Sequence, residues 1–137
     1  MTLVLDASLA LGWIFERAIP TEAEEANRVL VHLSDRQAVV PPLWHVEVLN
    51  ALATAQRRGL ITVSKAIAFI ARLDRLPIRT DSAIPPRPEH VLSLAREHRL
   101  SAYDAIYLDL ALRMRAALAT FDKRLARARD KAGVPHF

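Results

Sequence analysis

Short apolar runs alternate along this chain with longer segments whose apolar residues recur at helical spacing. The runs predict strands at residues 2–5, 38–40 and 117–121, a short extended piece at 77–79 and an edge strand at 134–136. The longer segments predict helices at residues 7–16, 21–34, 43–58, 64–75, 89–98, 102–115 and 123–131. Such alternation is typical of a parallel sheet covered by helices on both faces. We therefore expect an α/β fold, a three-layer α/β/α sandwich with a central, mainly parallel sheet.

Helix ends carry recognisable signals. Thr21 and Glu24 have the order of a capping box, which predicts the start of a helix. Gly59 and Gly133 each stand where a left-handed C-terminal cap is needed. The 137 residues fit one domain over 1–137, since that length can enclose a single core.

The composition excludes several classes of protein and of functional site. With 52% hydrophobic and 25% charged residues, the chain is predicted to fold. It has no cysteine, which excludes a disulfide scaffold, a thiol nucleophile and a Cys-based metal site and suits a reducing compartment. The longest uncharged apolar run, residues 7–15, is too short to span a membrane. We therefore expect a cytoplasmic protein.

The net charge is +4, and 16 of the 19 basic residues are arginine. Arginine binds phosphate through two parallel hydrogen bonds, so this bias fits contact with a polyanion such as nucleic acid. A genome rich in G and C would produce the same bias without any such function.

Several familiar sites are excluded. The chain has three glycines, so it has no Gly-rich phosphate loop, and it has no Gly-x-Ser-x-Gly nucleophile elbow. None of the five histidines has a His-x-x-x-His partner, so each is interpreted as a surface or packing residue.

Four acidic residues are better candidates for chemistry. Asp6 and Asp122 directly follow predicted strands, and ligand sites of open parallel sheets collect at the carboxyl ends of strands. Either residue could instead be the N-cap of the next helix. Asp104 begins a helix three residues after Ser101, where it could simply complete a capping pair. Glu47 shares a narrow polar helical stripe with Asn50, Thr54 and Arg58, and that stripe either is solvated or lines a site.

Carboxylates brought together repel one another, and a divalent cation removes that repulsion. Ligation by carboxylate oxygen alone is what Mg²⁺ or Mn²⁺ favours over zinc. Such a site can activate water and stabilise charge on a phosphodiester. With a basic surface, the coherent hypothesis is a metal-dependent nuclease.

Four motifs in order resemble the PIN-domain ribonucleases, and more narrowly the VapC toxins of bacterial type II toxin–antitoxin systems. They are Val4-Leu5-Asp6-Ala7-Ser8, Glu47-Val48-Leu49-Asn50-Ala51-Leu52, Leu100-Ser101-Ala102-Tyr103-Asp104-Ala105 and Leu118-Ala119-Thr120-Phe121-Asp122. The resemblance extends from about residue 3 to the Gly133-Val134-Pro135 segment.

The resemblance implies an acidic pocket at the strand ends, built from Asp6, Glu47, Asp104 and Asp122. The three aspartates would bind the metal directly or through water, and Glu47 would bind it or orient the attacking water. Ser8, Asn50 and Thr120 match positions near the pocket, where hydrogen bonds could orient the carboxylates. The family cleaves RNA with Mg²⁺ or Mn²⁺ and leaves a 5′-phosphate. A small antitoxin protein blocks the site, and such toxins commonly form homodimers.

Basic residues dominate the last fifth of the chain. Arg124, Arg127 and Lys131 share one face of the final predicted helix and adjoin Asp122, so they could hold the RNA backbone or form a plain solvated face. Asp109 interrupts an apolar run and lies four residues before Arg113, so we interpret it as a surface salt-bridge residue and not a fifth ligand.

Two alternatives keep the fold and change the function. A non-catalytic PIN-fold module would bind RNA or antitoxin without turnover, although the four intact acids count against it. A phosphatase of the haloacid-dehalogenase kind would use Asp6 as nucleophile, but it needs a second aspartate where this chain has Ser8.

Overall fold

The fold is built on four short parallel strands. We analysed a computed structural model, which describes residues 2–16, 18–82 and 87–137. The strands are β1 (Leu3–Leu5), β2 (Ala38–Val40), β3 (Ile78–Thr80) and β4 (Ala117–Ala119). They form one sheet in the order β3-β2-β1-β4, and each neighbouring pair is parallel.

Helices connect these strands. They are α1 (Ala7–Ala10), α2 (Pro20–His32), α3 (Leu43–Arg57), α4 (Val63–Asp74), α5 (Pro88–His98), α6 (Ala102–Met114) and α7 (Lys123–Lys131). Every residue of β1, β2 and β4 is buried, which requires cover on both faces of the sheet. The predicted α/β/α sandwich with a parallel sheet is therefore confirmed.

The order of the strands determines where a ligand-binding crevice can form. From β1 the chain moves outward to β2 and then to β3, and it returns to the opposite side of β1 to add β4. The reversal creates a crevice beyond the carboxyl ends of β1 and β4, which is where open parallel sheets bind ligands. Asp6 directly follows β1, whereas Asp122 is the third residue after β4, because β4 ends at Ala119 and not at residue 121 as predicted.

Most predicted helix bounds agree with the structure to within two residues, with one clear exception. The predicted helix at 7–16 is shorter, because α1 ends at Ala10 and a 3₁₀ turn follows at Leu11–Trp13. Gly59 and Gly133 have φ values of +70° and +74°, which confirms both predicted left-handed positions.

Two local predictions are wrong. Helix α2 begins at Pro20 with Ile19 as its N-cap, and no side chain makes the cap hydrogen bond, so the expected capping box does not form. Proline suits the first helical position because its φ is already set and no N–H is needed there. The expected edge strand at 134–136 is reduced to a single parallel bridge between Leu118 and His136.

Asp109 is not a surface residue. It is 1% exposed, and its carboxylate accepts hydrogen bonds from Arg113 Nε at 2.9 Å and from Arg87 Nη2 at 3.0 Å. Arg113 also donates to Asp81 at 2.9 Å, so the network ties α6 to the residues just after β3 and just before α5. The predicted pairing with Arg113 is confirmed and the predicted exposure is wrong, because a pair of arginines offsets the cost of burying the charge.

No helix in the described parts of the chain is both long and apolar enough to cross a bilayer.

Candidate active site

Asp6 is held by two hydroxyl groups at the end of β1. It is 4% exposed, and its Oδ2 accepts hydrogen bonds from Ser8 Oγ and Thr120 Oγ1, both at 2.6 Å. Although Asp6 stands at the N-cap position of α1, its side chain makes no cap hydrogen bond. Burial raises the pKa of Asp6, the charge of Asp122 raises it further, and the two hydroxyls oppose the rise. The carboxylate is therefore fixed in one orientation by hydroxyl groups from the segments that follow β1 and β4.

The segment after β4 supplies the second carboxylate. Asp122 accepts a hydrogen bond from Leu125 N at 2.9 Å and so caps α7, as the N-cap interpretation predicts. Thr120 Oγ1 accepts from the backbone N–H of Asp122 at 2.9 Å, and Ser8 Oγ accepts from that of Phe121 at 3.0 Å. Ser8 and Thr120 are thus hydrogen-bonded both to Asp6 and to the segment that follows β4.

Glu47 lies in the middle of α3 and is half-buried. Tyr107 of α6 donates a hydrogen bond from its hydroxyl to Glu47 Oε1 at 2.6 Å. Burial raises the pKa of Glu47, the charges of Asp6 and Asp104 add to the rise, and the hydrogen bond from Tyr107 opposes it. Glu47 therefore faces other carboxylates, whereas Thr54 and Arg58 of the predicted stripe do not line the cavity.

Asp104 occupies the first turn of α6. Ser101 is the N-cap and accepts a hydrogen bond from the backbone N–H of Asp104 at 3.1 Å, so the capping role falls to the serine and the carboxylate is left for other contacts. Burial raises the pKa of Asp104 to about 6, and repulsion from Asp122 and Asp6 contributes to the rise.

These four carboxylates line one shallow cavity of about 290 Å³. Ser8 and Asn50 also line it, and Thr120 contacts it through Asp6. Of the described residues, the nine that line this cavity include no lysine, arginine or histidine. The carboxylates therefore repel one another without a neighbouring cation in the cavity wall.

The donor set fits a hard divalent cation. Only oxygen ligands are offered, and mutual repulsion contributes to the raised pKa values, which a bound cation would lower. Within residues 2–16, 18–82 and 87–137, no three Asp, Glu, His or Cys side chains are spaced to enclose an ion directly.

Sequence reasoning missed Tyr107, whose hydroxyl binds Glu47 of the acidic site. A tyrosine within an apolar helical run is usually a core residue, and this one is indeed fully buried. The available signal was its spacing, because a residue three positions after Asp104 lies on the same helical face. The hydroxyl at the end of the buried ring is what enters the site.

The three basic residues predicted to contact RNA lie outside the acidic cavity. Arg124, Arg127 and Lys131 line a separate, larger cavity of about 650 Å³ between α7 and the end of α5. Arg124 nevertheless acts on the acidic site, since its charge opposes the rise in the pKa of Asp104.

Similar proteins are found by sequence and by fold. The family model of the PIN domain matches residues 3–131. Ribonuclease VapC3 of Mycobacterium tuberculosis is 30% identical over 112 residues, which cover 77% of this chain and 75% of that protein. PAE2754 from Pyrobaculum aerophilum superposes with a TM-score of 0.67 and 22% identity, over 93% of this chain and 79% of that one. A toxin–antitoxin complex from Klebsiella pneumoniae gives a TM-score of 0.63 and 20% identity, over 97% and 92%.

Proposed function

This chain belongs to the PIN domain family, and we propose that it is a divalent-metal-dependent endoribonuclease that acts as the toxin of a toxin–antitoxin pair. The likeness to Ribonuclease VapC3 supports the reaction class, and the fold shared with a chain of a toxin–antitoxin complex supports the biological role.

One observation carries the proposal for the site. Asp6, Glu47, Asp104 and Asp122 come from four separate parts of the chain, and all four carboxylates line the same cavity at the carboxyl ends of β1 and β4. A purely structural role does not need four acids there, since grouping them raises the pKa of three and costs stability.

We assign the metal-binding role to Asp6, Asp104 and Asp122, which would hold the ion directly or through water, with Glu47 as a further ligand or as the group that orients water. When bound, Mg²⁺ or Mn²⁺ lowers the pKa of a water molecule and stabilises negative charge on a phosphodiester. Ser8 and Thr120 hold Asp6 in place for this role, and Asn50 lines the same cavity as a polar contact for the substrate.

We propose that Glu47 orients the attacking water. The hydroxyl of Tyr107 binds Oε1, which fixes the carboxylate plane and leaves Oε2 to accept a hydrogen bond from the attacking water. The raised pKa of Glu47 brings this carboxylate closer to the value that suits a general base near neutral pH.

Protein partners are supported by apolar residues that remain exposed. Several lie on or beside α3 and α4, with relative exposures above one half: Val46 (66%), Leu49 (52%), Leu60 (69%), Val63 (61%) and Ile67 (61%). Exposed apolar residues clustered on neighbouring elements are typical of interaction surfaces. A small antitoxin and a second copy of this chain are the partners that we propose for such surfaces.

The test is RNA cleavage by the purified chain. We expect cleavage of labelled RNA in Mg²⁺, leaving a 5′-phosphate, and none in excess chelator. Asp6→Asn should abolish cleavage, whereas Asp35→Asn, an exposed aspartate after α2, should leave it unchanged. Cleavage that persists in Asp6→Asn at the wild-type rate would refute the assignment of the site.

A further inference from the structure

The basic cavity is formed by two helices that approach each other at the edge of the sheet nearest β4. The end of α5 contributes Arg99, and α7 contributes Arg124, Arg127 and Lys131. Glu97 is the one acidic residue among the seven described residues that line it, and its side chain is 62% exposed. The cavity of about 650 Å³ therefore has four positive charges against one negative charge that water screens well.

This cavity and the acidic cavity share helix α7. Asp122 is the N-cap of α7 and lines the acidic cavity, while Arg124, Arg127 and Lys131 follow along the helix. At about 1.5 Å per residue, the axis from Asp122 to Lys131 is about 14 Å long. A ligand held by both cavities would therefore be a chain several units long and not one small anion.

We propose that the basic cavity binds the phosphate backbone of the same RNA strand that is cleaved at the acidic cavity, so that Arg99, Arg124, Arg127 and Lys131 form a phosphate-binding subsite beside the scissile bond. The inference rests on the proposed ribonuclease function. It adds Arg99, which the sequence pattern did not indicate, because Arg99 lies 25 residues before Arg124 and joins the set only in the folded structure.

Charge and shape favour backbone contacts over contacts to bases. Arginine binds phosphate through two parallel hydrogen bonds, and three of the four cations are arginine. None of the seven described lining residues is Phe, Tyr or Trp, the side chains on which unpaired bases usually stack. The acidic cavity alone repels a phosphodiester, so a strand entering it gains from cations placed along its path.

The inference is tested by RNA binding without turnover. Arg127 and Lys131 are exposed, so the double variant Arg127→Gln/Lys131→Gln, the cavity pair, removes two cations from the cavity and leaves the core intact. The double variant Arg72→Gln/Arg75→Gln is the control pair. It removes two exposed charges at the end of α4, which leads into the opposite edge of the sheet. Fluorescence anisotropy would follow a fluorescein-labelled, mixed-sequence 12-nucleotide RNA in excess chelator, over a range of salt concentrations.

We expect the cavity pair to weaken binding roughly tenfold and to reduce the slope of log affinity against log salt by about 1.4, since each phosphate contact on a single strand contributes about 0.7. The control pair should leave the slope unchanged. Equal effects of the two pairs, or no effect of either, would overturn the proposal. So would a deca-glutamate peptide that displaces the labelled RNA more effectively than unlabelled RNA does, because the cavity would then belong to an acidic protein partner.

Arg99 provides an independent test. Its φ is +54°, a left-handed conformation that favours glycine, so Arg99→Gly removes the cation without straining the backbone. We expect weaker RNA binding with an unchanged or higher melting temperature, and unchanged affinity would overturn the place of Arg99 in the subsite.

In cleavage assays the cavity pair should raise KM and leave kcat within about twofold of the wild-type value. If the wild type cleaves no RNA yet binds it through this cavity, the proposed function fails and the subsite stands.

Discussion

Replacing Asp104 with asparagine is expected to stabilise the chain in the absence of metal, although it removes a residue that we place in the active site. The carboxyl of Asp104 is half-buried near Asp6 and Asp122, and its pKa is raised from 3.8 to about 6. A raised pKa means that the folded state holds a proton more tightly than the unfolded state does. Ionisation above that pKa therefore costs stability, and asparagine does not ionise.

The expected gain is about 1 kcal/mol in the free energy of unfolding. The interval from 3.8 to about 6 corresponds to about 3 kcal/mol if none of it were screened. Because the side chain is only half-buried, solvent screening reduces that to about 1.5 kcal/mol. The aspartate also interacts favourably with the N-terminus of α6, and losing that interaction costs roughly 0.5 kcal/mol.

The pH dependence follows from the same pKa. Well below pH 3.8 Asp104 is protonated in both states, so the variant and the wild type should differ only by the lost interaction with the N-terminus of α6. Between pH 3.8 and about 6 the unfolded wild type ionises while the folded wild type keeps its proton, so the wild type loses stability progressively, and above about pH 6 the difference is complete. Urea unfolding in excess chelator at pH 4, 5, 6 and 7.5 measures this difference.

Two further measurements separate the explanations. Asp35→Asn, at an exposed turn position, should change the free energy of unfolding by no more than about 0.5 kcal/mol. Adding Mg²⁺ should stabilise the wild type, so the difference in free energy of unfolding between it and Asp104→Asn should become smaller or change sign. A ligand that binds only the folded state adds about 2.7 kcal/mol at 100 times its Kd. An Asp104→Asn variant that is less stable than the wild type at pH 7.5 in chelator would refute the reasoning.

Three other changes have definite expected outcomes. Thr120→Val removes a donor from the buried carboxylate of Asp6, so urea unfolding should show a loss of about 2–3 kcal/mol. Because that hydrogen bond opposes the rise in the pKa of Asp6, the loss should grow as the pH is raised and Asp6 ionises. Thr120→Ser should retain most of the stability. Tyr107→Phe removes the hydrogen bond to Glu47, so steady-state cleavage should show kcat reduced about tenfold with KM unchanged. Arg113→Met leaves the buried Asp109 with one arginine and should cost about 3 kcal/mol in urea unfolding, and adding Asp109→Leu should recover part of that loss.

The sequence was sufficient to locate the acids but not their partners. A carboxylate placed after a short apolar strand indicates the carboxyl edge of a parallel sheet, and the structure places Asp6 and Asp122 at that edge. Helical spacing likewise places Glu47 on a polar stripe, and Glu47 and Asn50 of that stripe line the cavity. These signals are local, so they can be read without knowing which strand pairs with which.

The features that the sequence does not predict depend on contacts between segments that are distant in the chain. Tyr107 and Glu47 are separated by 60 positions, and a tyrosine in an apolar run gives no sign of the carboxylate that its hydroxyl meets. Asp109 looked exposed because a lone charge is rarely buried, and its burial is made possible by Arg87, which is 22 positions away. The strand order β3-β2-β1-β4 similarly reflects packing of the whole sheet and not any single segment.

The position of β4 beside β1 has a consequence for the time at which this protein becomes active. Asp6 and Thr120 are hydrogen-bonded partners, yet 114 positions separate them in the chain. During translation β1 leaves the ribosome before β4 and Asp122 do, because proteins are made from the N-terminus onward. The acidic cavity of a ribonuclease assembled in this order is therefore complete only after the segment that carries Thr120 and Asp122 has been synthesised.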